Sequence, residues 1–452
     1  MKPQTTLVLI LAAVACACPL AGSAQSADAL IDKLVDKGIL TVNEANELRE
    51  ETDKNFTQAY SVKTGLPDWV SSMKFNGDFR GRFEGFYTED DLAVDRNRLR
   101  YRLRYGVTVN FLQGFEAGLR LGSGDIDSYP ASGIDPISNN QTFQNNGSKK
   151  GIFLDLAYGR WLFVNRPAGT ALVTLGKMEN PFTLTDLVFD HDYTPEGLAA
   201  QFTYKLADGH SLQLNSGAFV LDEISASTSD PALLGAQLLY QADLSKKISL
   251  SAGATFLAIT SEEQLANNRV PNINAGNTRN ADGTPAFDFN PVVADLGVTY
   301  TLDTMRFYNG AFPIRLAAEY IYNGGAPSRA DNDAWAAGIT FGKAGKRKTW
   351  EASYHYKWLG ANAWWEELVD SDFGAFWASP QANSGMSSAG YAAGTNVRGH
   401  VVRLAYAPTD FLTLSTKFIY THLIDDQTMT QQPPPSNQPD ILRLQIDASL
   451  KF

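Results

Sequence analysis

Cysteine is almost missing from this chain. Its 452 residues contain only Cys16 and Cys18, both inside an apolar leader. A chain cut behind that leader carries no thiol, which excludes disulfides and thiol catalysis. Basic runs longer than a helical turn are also missing, and the net charge is -11. That excludes the basic face a nucleic-acid binder needs. Beyond the leader no apolar run reaches the ~18 residues of a membrane-spanning helix. No glycine-rich phosphate loop stands out. What is abundant is glycine (37), phenylalanine (25), tyrosine (18) and tryptophan (8). This composition favours β structure.

The leader, residues 1–24, has three parts. Lys2 supplies a positive start, Leu7 through Val14 are all apolar, and Gly22-Ser23-Ala24 offer small residues before Gln25. This is the pattern of a secretory signal peptide, and its apolar part is too short to anchor the chain in a bilayer. Cys16 follows Ala13-Val14-Ala15, without the leucine that usually stands three places before a lipoprotein cysteine. Residues 25–69 are expected to form a periplasmic helical stalk and linker. Leu30, Ile31, Leu34 and Val35 recur at helical spacing, Gly38 stops that helix, and Thr41 with Glu44 makes a capping box for a second. The stalk is either a contact with peptidoglycan or a plain spacer.

From Met73 the period changes to two. Phe75, Phe79, Phe83 and Tyr87 alternate with Lys74, Asp78, Arg80, Arg82 and Glu84. Leu99, Tyr101, Leu103, Tyr105, Val107 and Val109 alternate with Arg98, Arg100, Arg102, Arg104, Thr108 and Asn110. Such runs exceed the ~5–6 residues of globular strands and match the ~9–11 of a membrane strand. Sixteen candidate strands follow, at 72–88, 96–111, 115–124, 151–163, 170–178, 197–206, 210–221, 231–243, 247–260, 290–302, 313–322, 332–343, 347–359, 398–407, 410–422 and 440–452. Their connections alternate between tight turns, such as 112–114, 207–209 and 407–409, and long loops, such as 125–150, 261–289, 360–397 and 423–439. The fold class is therefore all-β, a transmembrane antiparallel β-barrel over residues 70–452 with sixteen strands and a short N-terminal helical segment. Only a closed barrel lets strands cross a bilayer with every backbone group paired. The last strand ends on Phe452 and looks like the terminal signature by which outer-membrane proteins are recognised for insertion.

The arginine ladder is the sharpest local feature. Arg98, Arg100, Arg102 and Arg104 share one strand face. Facing lipid, each would cost ~2–4 kcal/mol at the midplane. They are expected to line the pore instead, joined by Arg80, Arg82 and Arg120.

Several stretches resemble the bacterial "putative porin" family: residues 96–106, then Gly176-Lys177-Met178-Glu179-Asn180-Pro181-Phe182, Phe189-Asp190-His191-Asp192, Pro195-Glu196-Gly197, and Asp370-Ser371-Asp372-Phe373-Gly374. The resemblance spans most of residues 70–452. It implies a barrel in the outer membrane of a Gram-negative bacterium and a channel, but no particular substrate. By analogy with sixteen-stranded general porins, the loop at 179–196 is expected to fold inward as a constriction. Its acids, Glu179, Asp186, Asp190, Asp192 and Glu196, would then face the arginine ladder across an eyelet. The expected function is passive diffusion of small hydrophilic solutes or ions, with no cofactor, no nucleic acid, a lipid surround and, again by analogy, a homotrimer. Two alternatives stay open. One is a substrate-specific anion channel. The other is a plugged structural or adhesive barrel that tethers the envelope.

An enzyme reading rests on Ser353 and His355, which share a face with Glu351 and Lys357. The opposite face is Trp350, Ala352, Tyr354, Tyr356 and Trp358, so Ser353 and His355 read as lumen lining, not as a nucleophile and base at the membrane edge. Asp125, Asp127, Asp331 and Asp333 offer oxygen ligands for calcium, but loop acids are usually just solvated, and no metal is expected.

Overall fold

The computed structural model describes residues 67, 69–88, 95–124, 138–265, 276–374, 394–424 and 440–452. The expected signal peptide (1–24) and helical stalk (27–53) lie outside them. The strands are β1 (Val70–Thr88), β2 (Arg96–Phe111), β3 (Phe115–Gly124), β4 (Gln141–Thr142), β5 (Gly151–Arg166), β6 (Gly169–Lys177), β7 (Glu196–Ala207), β8 (His210–Val220) and β9 (Ala232–Asp243). They continue as β10 (Ile248–Thr260), β11 (Pro291–Leu302), β12 (Phe312–Asn323), β13 (Asp333–Gly342), β14 (Thr349–Leu359), β15 (Val397–Ala407), β16 (Leu412–Leu423) and β17 (Ile441–Lys451).

All strand pairs are antiparallel, and β1 hydrogen-bonds both β2 and β17. The sheet thus closes. Of its seventeen strands one, β4, is a two-residue clip, which leaves sixteen in the wall. Each of the sixteen expected strands is present, with ends moved by at most a few residues. The expected sequence contained no β4, and the reason for β4 is tertiary. β2 runs 16 residues and β3 only 10, and their pairing stops at Arg104↔Gly122. The outer part of β2 would be left with unpaired backbone groups on that side. β4 covers it, pairing Thr142 with Arg100 and Gln141 with Tyr101.

Alternation places the side chains. Phe75, Leu103, Leu198, Phe256 and Leu316 point outward and are 44–57% exposed. A belt of exposed Leu, Phe and Tyr around a closed sheet fits lipid, not water. Aromatic pairs edge the belt. Phe115 stacks on Trp161 at 5.2 Å beside the tight turns, and Trp335 packs on Tyr356 at 5.2 Å toward the long loops. Inward positions carry the charges, and also an apolar cluster on one wall that includes Leu233, Leu257, Val293 and Ile321. That cluster has no counterpart in a barrel filled with water. It exists because loops fold onto it.

Candidate pore constriction

The inward faces of β1 and β2 set arginine against arginine. Arg80 lies opposite Arg102, and Arg82 opposite Arg100. Like charges so placed repel, so the wall holds only because acids are threaded through it. Arg82 donates to Asp447 from Nε and Nη2, both at 2.8 Å. Arg102 and Arg104 share Asp78, at 2.9 and 2.7 Å, and both reach Asp192, at 2.9 and 3.4 Å. Arg120 pairs with Asp155 and Glu179.

Two of the expected pore arginines do other work. Arg98 and Arg100 face Glu84, which is fully buried and is also held by Arg443 at 2.5 Å. They do not line the open cleft, because a buried carboxylate demands counter-charge.

The connection at 178–195 crosses the lumen. Its entry and exit need glycine: Gly176 and Gly197 have φ of +116° and +156°, and a Cβ on either would sit 2.3 Å or less from a backbone oxygen of the neighbouring strand. Inside, Thr183 exchanges hydrogen bonds with the Gln237 amide at 2.9 and 3.0 Å. Thr185 N donates to Glu319 at 3.0 Å, and Asp186 meets Lys357 at 2.7 Å. These partners lie on β9, just beyond β8, and on β12 and β14, much farther around the wall from β6 and β7.

A second connection, after β14, joins it. Trp364 Nε1 donates to the Val188 carbonyl at 3.0 Å, Asp190 N to Leu368 O at 2.7 Å, and Asp370 N to Asp186 O at 3.2 Å. Trp364, Trp365, Leu368, Val369 and Phe373 are buried with Phe182, Val188 and Phe189 against the apolar wall. From the sequence, 360–397 is expected as a long outer loop and not as a second inward one. The signal available was its apolar content, too high for a solvated segment.

The acids of the first loop are divided among tasks. Asp192 and Glu179 meet the arginine ladder. Asp186 instead meets Lys357 on the opposite side. Burial works to raise the Asp186 carboxyl, but the Lys357 ammonium prevails and holds it well below the usual range. Asp190 accepts from the backbone N–H groups of Asp192 and Ser371, both at 2.8 Å, and so ties one loop to the other. Glu196 is not in the loop: it is the first residue of β7, shares the outward parity of exposed Leu198, and pairs with Lys177 at 3.0 Å. The loop ends one residue earlier than expected, because Glu196 continues the β6–β7 ladder opposite Lys177.

Burial, reinforced by Asp192 and Asp370, pushes the Asp190 carboxyl up to about 7. An unfolded Asp releases its proton near about 4. The folded loop therefore binds the extra proton, and its stabilisation is complete below about pH 4 and lost as pH rises through about 7. Proteolysis of the loops in the folded barrel should accelerate between about pH 5 and pH 8, and Asp190→Asn should flatten that rise. A wild-type profile already flat over this range would count against the link.

Between the loops and the arginine wall lies a cleft of about 830 Å³. Lys357, Arg403, Lys417, Ser353 and His355 line its far side. Among the described residues no hydrogen bond joins Ser353 to His355, and no group of three potential metal ligands occurs. Asp331 lies at the end of the connection before β13 and Asp333 opens that strand, while Asp125 and Asp127 lie outside the described residues.

Residues 88–290 match the model of a family described as "putative porin". No curated protein matches the chain. Among solved structures, OprB of Pseudomonas putida at high pH is 12% identical over 84% of this chain and 94% of its own, with a TM-score of 0.47. OmpF of Salmonella typhi, in complex with daunomycin, is 9% identical over 86% and 99%, with a TM-score of 0.45. Outer-membrane OmpT of Vibrio cholerae is 11% identical over 86% and 99%, with a TM-score of 0.42. The likeness first carried by the arginine strand and the Gly176-to-Phe182 motif is thus shown by the family match, and over residues 88–290 this chain is matched to the putative porins.

Proposed function

We propose that this chain is an outer-membrane porin that lets small hydrophilic solutes or ions diffuse through a charged, loop-narrowed lumen. The observation that carries this reading is the cleft itself: a polar passage inside a closed, outwardly apolar barrel, bounded by arginines on β1–β3 and by loops tied to β12 and β14. Arg80, Arg82, Arg102, Arg104 and Arg120 serve as pore-lining groups, and Glu179, Asp186, Asp190 and Asp192 as the acids of the constriction. Residues 1–24 serve as the export signal, and residues 25–69 as a periplasmic stalk that can touch peptidoglycan. OmpT of Vibrio cholerae has been solved in a trimer form, and a homotrimer is the assembly proposed here.

Planar-bilayer recording of refolded protein in a salt gradient tests the reading. Stable unitary currents are expected, and the sign of the reversal potential reports whether cations or acids govern the constriction. A correctly folded barrel that never conducts would establish the plugged structural barrel instead.

A further inference from the structure

We propose that Arg80 is an oxyanion-binding subsite in the constriction, which takes the carboxylate or phosphate group of a passing solute. The inference deepens the porin reading and rests on it for its place on a transport path.

Eight lysine and arginine side chains line the cleft. Seven of them have a carboxylate oxygen within 3.7 Å. Arg80 is the exception among the described residues. Its one hydrogen bond runs from Nη2 to the Asn140 side-chain oxygen at 2.6 Å. Its Nε is buried and meets no acceptor. The neighbours in register are Arg102 on β2, another cation already committed to Asp78 and Asp192, and Ser449 on β17.

A guanidinium drawn out of water with no carboxylate at ion-pair distance, where the neighbouring Arg82 and Arg102 outweigh the more remote Asp447 and Asp192, is unfavourable unless something else gains from it. The fold holds it there deliberately. The β4 clip fixes the chain just after Asn140, and the Asn140 carbonyl accepts from Arg100 at 3.3 Å. Asn140 thus steers the Arg80 head by a neutral contact and leaves it without a carboxylate in contact. The planar fork of arginine pairs two N–H groups with the two oxygens of a carboxylate or phosphate; with Nε buried and one Nη2 hydrogen on Asn140, the pair left for such an anion is Nη1–H with the second Nη2–H. A mobile anion entering the cleft supplies the missing charge.

The test uses the full barrel refolded in detergent. Chloride current through single channels is recorded while inorganic phosphate or acetate is added, and calorimetry on the same preparation reads binding without any need for conduction. Saturable block and saturable binding are expected for at least one of the two anions. The anion that saturates identifies the group preferred. Arg80→Gln should weaken both readouts by about tenfold or more, the loss expected for one charge-assisted hydrogen-bonding group. Should R80Q fail to fold, Arg80→Lys keeps the charge, loses the fork, and should weaken binding in the same direction. Arg315, on the inward face of β12 against Ser251 at 3.4 Å, lies outside this cleft and pairs with no carboxylate within 4.0 Å among the described residues. Arg315→Gln should therefore leave both readouts near wild type. Absence of saturation with either anion, or equal losses from R80Q and R315Q, would overturn the subsite. Binding in a silent barrel would keep the subsite and reject the porin.

Discussion

Glu84→Gln should destabilise the barrel by about 3–5 kcal/mol, the cost typical of removing one partner from a buried ion pair. Glu84 is fully buried, yet it serves arginines from two other strands: Arg98 and Arg100 on β2 and Arg443 on β17, while it sits itself on β1. Gln445 Nε2 also donates to it at 3.0 Å. This cluster straddles the β17–β1 seam, where the sheet closes on itself. Glutamine keeps the shape and one acceptor but removes the negative charge that these three arginines share. Arg443 retains Asp372 at 2.7 Å and Arg100 the Asn140 carbonyl at 3.3 Å, so the loss falls mainly on Arg98. Urea unfolding in detergent, followed by the mobility shift between folded and unfolded barrel, measures it. A double-mutant cycle with Arg98→Gln isolates the pair: the two losses should fall well short of adding, since each residue exists for the other. Full additivity would mean that Glu84 acts through something other than these contacts.

Trp364→Ala should cost a similar ~3–5 kcal/mol, as expected for a buried tryptophan truncated to alanine, but it should be felt locally. Trp364 is wholly buried, stands edge-on to Phe189 at 6.2 Å, and caps the Val188 carbonyl. It is the apolar hinge between the two inward loops. Its loss leaves a cavity and an unpaired carbonyl where the loops meet, while the strand ladder around them is untouched. The loops should leave the wall before the barrel unfolds. Single-channel conductance should rise, and protease should cut the loops without releasing the barrel. Unchanged conductance in a folded W364A barrel would show that these loops do not set the width of the path.

The barrel was legible in the sequence because membrane strands obey a local rule. Side chains alternate with period two, and lipid forbids charge on one parity, so each strand declares its own length and both its faces. The arginine ladder on β2 was legible for the same reason: its parity alone ruled out lipid. The inward fold of residues 178–195 came from family resemblance, not from periodicity. What the sequence left open is which partner each charge would find. Arg98 and Arg100 read the same as Arg102 and Arg104, yet the register of β1 and β17 commits the first two to Glu84 and leaves the others to Asp78 and Asp192. Glu196 read as a loop acid until the β6–β7 ladder claimed it. The second inward loop, the β4 clip and the lack of a carboxylate in contact with Arg80 arise from contacts between segments up to hundreds of residues apart. By itself the sequence determined the strands, their faces and their number. The closed barrel alone decided which loops entered the lumen and which arginine of the cleft was left without a carboxylate in contact, because ion pairing across a lumen depends on distances that no single strand contains.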